Sequence, residues 1–241
     1  MAKAMSSKAI RAAREKERKQ RVDKKRRVDL RSQHLNYLIV CEGEKTEPNY
    51  FKAIVETRNS SVISVDLEGI GSSTVKLVKE AIRLRDKDKN KYDRVWAVFD
   101  KDDFHDFNNA IELANQNNIK TAWSNEAFEL WYVLHFQYLD TAVSRKQYIE
   151  IINRYFRAFI PTFKYEKNST DFYHVLKKYC NEDQAISNAK RLVSNYTDYN
   201  FSSHHPCTMV YNLIEELRHP EDVLKCLRNC SDAEEHSSFA E

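Results

Sequence analysis

The chain is short of glycine. Of its 241 residues only Gly43, Gly69 and Gly71 are glycine, and none follows position 71. A Walker loop or a G-x-G-x-x-G fingerprint needs several glycines at fixed spacing so that backbone can wrap a phosphate, and both are excluded. Long apolar runs are missing too. Tyr132-Val133-Leu134 and the stretch around Ile149 to Ile152 fall far short of the ~20 residues a bilayer demands, so no membrane partner is expected. The five cysteines, Cys41, Cys180, Cys207, Cys226 and Cys230, form an odd, scattered set. That set argues against a disulfide framework and for a reducing, cytoplasmic location. The Lys- and Arg-dense N-terminus has no apolar block behind it, so it reads as something other than a signal peptide. No internal repeat and no low-complexity linker divides the chain, and its two halves are expected to share a core.

What is present is an uneven charge distribution on an otherwise ordinary soluble composition, 41% hydrophobic and 31% charged. The net charge of +3 conceals a basic arm. Residues 1–31 carry thirteen Lys or Arg against Glu15, Glu17, Asp23 and Asp29, leaving the remainder of the chain acidic. A basic arm on an acidic body suits a polyanion such as nucleic acid, held through counterion release, and equally suits a solvated tail that confers solubility.

Past the arm, strand and helix alternate. Asn36 to Cys41 is a short apolar run bounded by polar residues and reads as a buried strand. A helix follows from Thr46, capped by its own hydroxyl, with Pro48 in the first turn and Tyr50, Phe51, Ile54 and Val55 on one face. Val62 to Leu67 is a second strand, and the Gly69-Ile70-Gly71 turn leads through a Ser72 or Ser73 cap into a helix carrying Leu77, Val78 and Ala81. Tyr92 to Phe99, the helix Asp106 to Gln116, Ile119 to Trp123 and the helix Asn125 to Phe136 complete the series. Four alternations predict an α/β fold with a mainly parallel sheet flanked by helices. From about residue 140 the rhythm becomes helical, with Pro161 interrupting, and helices are expected at 172–180, 184–196 and 208–217. The expected organisation is a basic arm at 1–33, an α/β domain at 34–138, a C-terminal helical extension at 139–230 and a polar tail at 231–241.

Two acidic clusters fall at carboxyl ends of strands, where open α/β sheets place their active sites. One is Glu42-Gly43-Glu44; the other is Asp100-Lys101-Asp102-Asp103. Residues two apart in extended chain project to one side, so Asp100 and Asp102 can point together. If the two strands are neighbours, the carboxylates converge, and each like-charge pair ~4 Å apart costs about 4 kcal/mol at an effective dielectric of 20. A hard divalent ion, Mg²⁺ or Mn²⁺, removes that penalty and could clamp a phosphodiester and activate water. Acids that merely cap helices or face solvent are the competing explanation for either cluster alone.

A Glu-Gly pair after the first strand and an Asp-x-Asp after a later one resemble the TOPRIM arrangement of topoisomerases, primases and OLD-type nucleases. The segments VCEGEKTEPNYF (40–51), VFDKDD (98–103), SNEAFELWYVLHF (124–136) and HPCTMVYNL (205–213) resemble more closely the RloB-like family of bacterial defence and restriction loci. The resemblance runs from about residue 30 to 220. It implies a TOPRIM-like sheet and a Mg²⁺-dependent nuclease acting on nucleic acid in phage defence, often encoded beside an ATPase partner. It further implies Glu42 as metal ligand or general acid/base, and Asp100 and Asp102 as Mg²⁺ ligands joined by Asp103. Glu47 matches a second acid that can serve another metal, Glu44 is typical of the RloB-like motif, and one of Glu44 and Glu47 is expected to assist catalysis by activating water. Two positions depart from the family: Glu126-Ala127 follows Asn125 where Pro-Cys is usual, and His205 replaces an Asn.

Further candidates carry less specific signals. Lys45, Lys101, Lys164 and Lys167 are candidate substrate contacts, although for the last two an ordinary surface lysine is the favoured explanation. Glu129 lies in an apolar helix, where a charge is costly unless it is paired. It is either a substrate contact or the partner of a C-terminal Lys or Arg. His204, His205 and Cys207 with Cys226 and Cys230 have zinc-ligand chemistry at unconvincing spacing, and a structural role is favoured. His135 ends its helix in a position to satisfy carbonyls. A phosphoryl or nucleotidyl transferase, a non-catalytic module docking an ATPase, and a homo-oligomer all stay open at this point.

Overall fold

The computed structural model describes residues 15–16, 34–58, 63–71, 74–88, 91–101 and 105–237. The basic arm, apart from Glu15 and Lys16, therefore lies outside the described residues, as do Val62, Ser72, Ser73, Asp102 and Asp103. The chain divides into two compact units, Asn36–Pro220 and Met1–Leu35 with Glu221–Glu241.

The first unit is built on a five-stranded sheet. Its strands are β1 (Leu35–Cys41), β2 (Ile63–Gly69), β3 (Arg94–Asp100), β4 (Lys120–Asn125) and β5 (Cys207–Thr208), in the order β2-β1-β3-β4-β5. β1 and β3 pair in parallel with Cys41 opposite Val98, and β3 and β4 pair in parallel with Asp100 opposite Ser124. The mainly parallel, helix-flanked sheet expected from the alternation is thus present. β5 was not foreseen. Only two residues long, it runs antiparallel to β4.

The first-half helices are α1 (Thr46–Arg58), α2 (Thr74–Lys87), α3 (Phe107–Gln116) and α4 (Glu129–Leu134). The α4 helix is shorter than the 125–136 span expected. Five more helices follow: α5 (Arg145–Arg157), α6 (Phe172–Tyr179), α7 (Glu182–Val193), α8 (Val210–Arg218) and α9 (Pro220–Ser237). The region expected as a polar tail is helical as far as Ser237. Among the described residues no helix is long and apolar enough to cross a membrane.

Strands buried on both faces explain why β1 and β3 read as continuous apolar runs rather than alternating ones. Leu38, Val40, Val95, Ala97 and Phe99 pack with Leu77, Val78 and Ala81 of α2 and with Phe107, Ala110 and Ile111 of α3. A second cluster is aromatic. The Tyr50 ring meets those of Phe51, Phe128, Tyr132 and Tyr173 at 5.4–5.6 Å, and its hydroxyl accepts from Trp131 Nε1 at 2.6 Å. Edge-on ring pairs of this kind each contribute about 0.5–1.5 kcal/mol beyond their buried area.

His135, at the end of α4, donates from Nδ1 to the Trp131 carbonyl at 2.9 Å, the role its position suggested. Burial lowers its pKa to about 4 against a weaker opposing effect of that hydrogen bond. The folded value lies below the unfolded ~6.5, so this residue costs nothing above pH 6.5. As pH falls from 6.5 through 4 the unfolded chain takes up the proton first, and about 3 kcal/mol of stability is lost. Denaturant titrations of wild type and His135→Gln at pH 7 and pH 4.5 should show a smaller acid loss in the variant.

Candidate metal centre

The site forms at the carboxyl ends of β1 and β3. Glu42 directly follows β1, and its N–H extends the ladder to the Val98 carbonyl at 2.8 Å. Its carboxylate turns across to the neighbouring strand and accepts the Asp100 N–H at 3.1 Å. The parallel pairing of β1 with β3 is what brings these residues, 58 apart in sequence, into contact.

The glycines are explained by this loop. Ile70 N–H donates to the Cys41 carbonyl at 3.0 Å and Gly71 N–H to the Glu42 carbonyl at 2.8 Å. A Cβ on Gly69 would stand 2.7 Å from Glu44 Cα and 2.8 Å from the Gly43 carbonyl oxygen, so only glycine lets the two loops touch. Gly71 has φ +63°, the left-handed region that favours glycine. On Gly43 a Cβ would stand 2.0 Å from Glu47 Oε2. All three glycines of the chain serve this one turn.

Glu47 comes in from the first turn of α1 and is only 5% exposed. Its Oε2 is buried with no hydrogen-bond partner. Burial raises its pKa, its own backbone N–H opposes that, Glu129 adds to it, and Lys167 and Arg145 oppose it. Asp100 is pushed well above the usual carboxylate range by burial, then by Glu47 and Glu129, with Arg145 opposing and Glu42 adding. Glu129, fully buried at the start of α4, accepts from the Tyr165 hydroxyl at 3.2 Å rather than pairing with a C-terminal Lys or Arg. Four carboxyl groups therefore feel one another in a largely buried cluster.

The helical extension supplies the opposite wall. Thr46 Oγ1, expected to cap α1, instead donates to the Lys167 carbonyl at 2.5 Å, and Asn49 Nδ2 donates to the Asn168 carbonyl at 3.1 Å. These bonds dock the loop between α5 and α6 beside Glu47. From the start of α5, Arg145 Nη2 reaches Asp100 Oδ2 at 3.1 Å.

The donor set fits a hard divalent ion. It is all oxygen, partly buried, and includes a carboxylate oxygen that no described residue satisfies, a costly state that a cation relieves. Among the described residues, no three of these carboxylates bring an oxygen each within 4.8 Å of one another.

The remaining candidates are placed less centrally. Glu44 and Lys45 are exposed, and the Glu44 carboxylate lies against Gly71 rather than Glu47. Lys101 is half-buried, its N–H on the Ser124 carbonyl at 2.8 Å. Lys164 is exposed; Lys167 is exposed yet close enough to favour the ionised form of Glu47. Away from the site, His204 is engaged by Asp198 at 3.0 Å and stacked on Tyr196 at 4.4 Å, a structural use rather than a zinc ligand. Sequence reasoning missed Arg145. A signal existed: an arginine in the first turn of a helix faces the positive end of the helix dipole, and α5 has no acid in that turn.

Residues 37–217 match a family model described as RloB-like protein. The chain belongs to the RloB-like family. No curated protein and no solved structure matches it significantly. Glu42, Glu47, Asp100, Glu129 and Arg145 all fall within the matched residues.

Proposed function

We propose that this RloB-like protein is a TOPRIM nuclease that cleaves nucleic-acid phosphodiesters with Mg²⁺ or Mn²⁺, in a phage-defence role in the cytoplasm. The observation that carries the reading is the unsatisfied, buried Glu47 Oε2 beside Asp100 and Glu42 at the ends of adjacent parallel strands. Glu42, Glu47 and Asp100 would hold the ion, joined by Asp102 and Asp103 from the segment that follows β3. A divalent ion bound there supplies Lewis-acid polarisation of the phosphodiester. The chain's own groups do the rest. Glu42, half-buried, would accept a proton from an attacking water. Lys101 and Lys167 supply positive charge for the phosphate, and the aromatic packing around Tyr50 and Tyr132 keeps bulk water from the floor. The 1–33 arm would retain the polyanion, and an ATPase partner would supply any energy-driven sensing.

The test is incubation of the purified chain with plasmid, single-stranded DNA and RNA in Mg²⁺ and in EDTA. Metal-dependent strand breaks support the reading. Turnover confined to free nucleotides favours a transferase instead, and metal-independent binding without turnover favours a docking module.

A further inference from the structure

We infer that Arg145 is a built-in counter-ion of the acidic pocket, which a divalent ion must displace from Asp100 before it can bind. This rests on the reading of the pocket as a metal site. The guanidinium reaches Asp100 Oδ2 at 3.1 Å across 45 residues of sequence, and the Asp100 side chain is only 12% exposed while that of Arg145 is 33% exposed. Arg145 thus comes in from the rim and plugs a buried carboxylate.

Its position is built rather than incidental. Its backbone N–H donates to Glu126 Oε1 at 3.3 Å, just past the end of β4. The Ser144 and Gln147 capping box fixes the first turn of α5 around it, with Ser144 N–H donating to Gln147 Oε1 at 2.8 Å. A helix start anchored in this way delivers a permanent positive charge to a group of carboxyls that would otherwise repel one another.

A guanidinium and a divalent ion compete for the same oxygen but differ in demand. The planar fork binds one or two oxygens at its edge, whereas Mg²⁺ or Mn²⁺ gathers oxygens around itself at close range. Arg145 is accordingly a positioning residue: it keeps the empty pocket tolerable and sets the affinity for metal, and on displacement it is left at the rim.

The experiment measures Mn²⁺ affinity by calorimetry and melting temperature without metal, for wild type, Arg145→Gln and Arg145→Lys. Arg145→Gln should bind Mn²⁺ about tenfold more tightly, the equivalent of one partly exposed ion pair. Without metal it should melt several degrees lower, and saturating Mn²⁺ should return most of that loss. Arg145→Lys, which keeps the charge, should stay near wild type in both. Unchanged or weaker Mn²⁺ binding by Arg145→Gln overturns the inference, because it shows that the arginine does not compete with the ion for Asp100. Side-chain NMR of the wild type needs no variant: the Arg145 Nε–H signal should move as Mg²⁺ is added, and a signal that stays still is equally fatal. A wild type that binds no divalent ion at all would instead sink the metal reading, and this inference with it.

Discussion

Asp100→Asn is expected to lower Mg²⁺-dependent cleavage about a thousandfold while the chain folds as before. Holding the ion is worth several kcal/mol of transition-state stabilisation, and each 1.36 kcal/mol is a factor of ten. Asparagine keeps the volume of the side chain and removes one of several acids that repel one another, Glu47 and Glu129 among them. The native fold should therefore tolerate the change, and thermal melting is the control. Cleavage of plasmid or RNA at the wild-type rate by a properly folded Asp100→Asn would remove the pocket from the reaction altogether.

Gly69→Ala carries the second large expected effect, and its sign is informative. Where the backbone allows it, Gly→Ala stabilises a protein by about 0.4–1 kcal/mol through the unfolded state. Here the added Cβ would lie within 2.9 Å of Glu44 Cα, the Gly43 carbonyl and the Glu44 carbonyl, all backbone atoms that cannot rotate aside. The Glu42 loop would have to move. A loss of about 2–3 kcal/mol follows from overpacking of this kind, about 5–10 °C in melting temperature for a domain of this size. Mn²⁺ affinity should fall with it, because the displaced loop carries Glu42. A neutral or stabilising Gly69→Ala would show that the turn does not position the acids.

Much of this architecture can be read from the linear sequence because local physics dominates it. Runs such as Leu38 to Cys41 and Val95 to Phe99 are apolar throughout since both faces of the sheet are covered, and their polar ends mark the strand termini where Glu42 and Asp100 sit. The pairing of β1 with β3 could only be supposed, since register is a long-range property; it is this pairing that brings Glu42 to Asp100. Other features follow from contacts that leave no local trace. The hydroxyl of Thr46 is a good cap by composition, yet a carbonyl 121 residues away claims it. Glu129 was legible as a buried charge in need of a partner, but a phenol from the loop after α5 satisfies it. β5 is too short to produce any alternation, and α4 starts late because Asn125 still belongs to β4 and the chain needs Glu126 to Phe128 to turn out of the sheet.

The smallest strand has the widest reach. Through β5 and the residue after it, Met209 N–H caps the Trp123 carbonyl at 2.8 Å, and the hydroxyls of Thr208 and Ser124 share a 2.9 Å bond inside the core. The outer edge of β4 is thus finished by chain that emerges more than eighty residues later. A fragment cut at residue 138 would retain four strands and most of the acids, but it would bare a raw sheet margin at the spot where Asp100 and Ser124 run side by side. The half that carries the acids and the helical half are therefore one indivisible fold, and transplanting the acidic pocket into another scaffold would require borrowing the far end of the polypeptide as well.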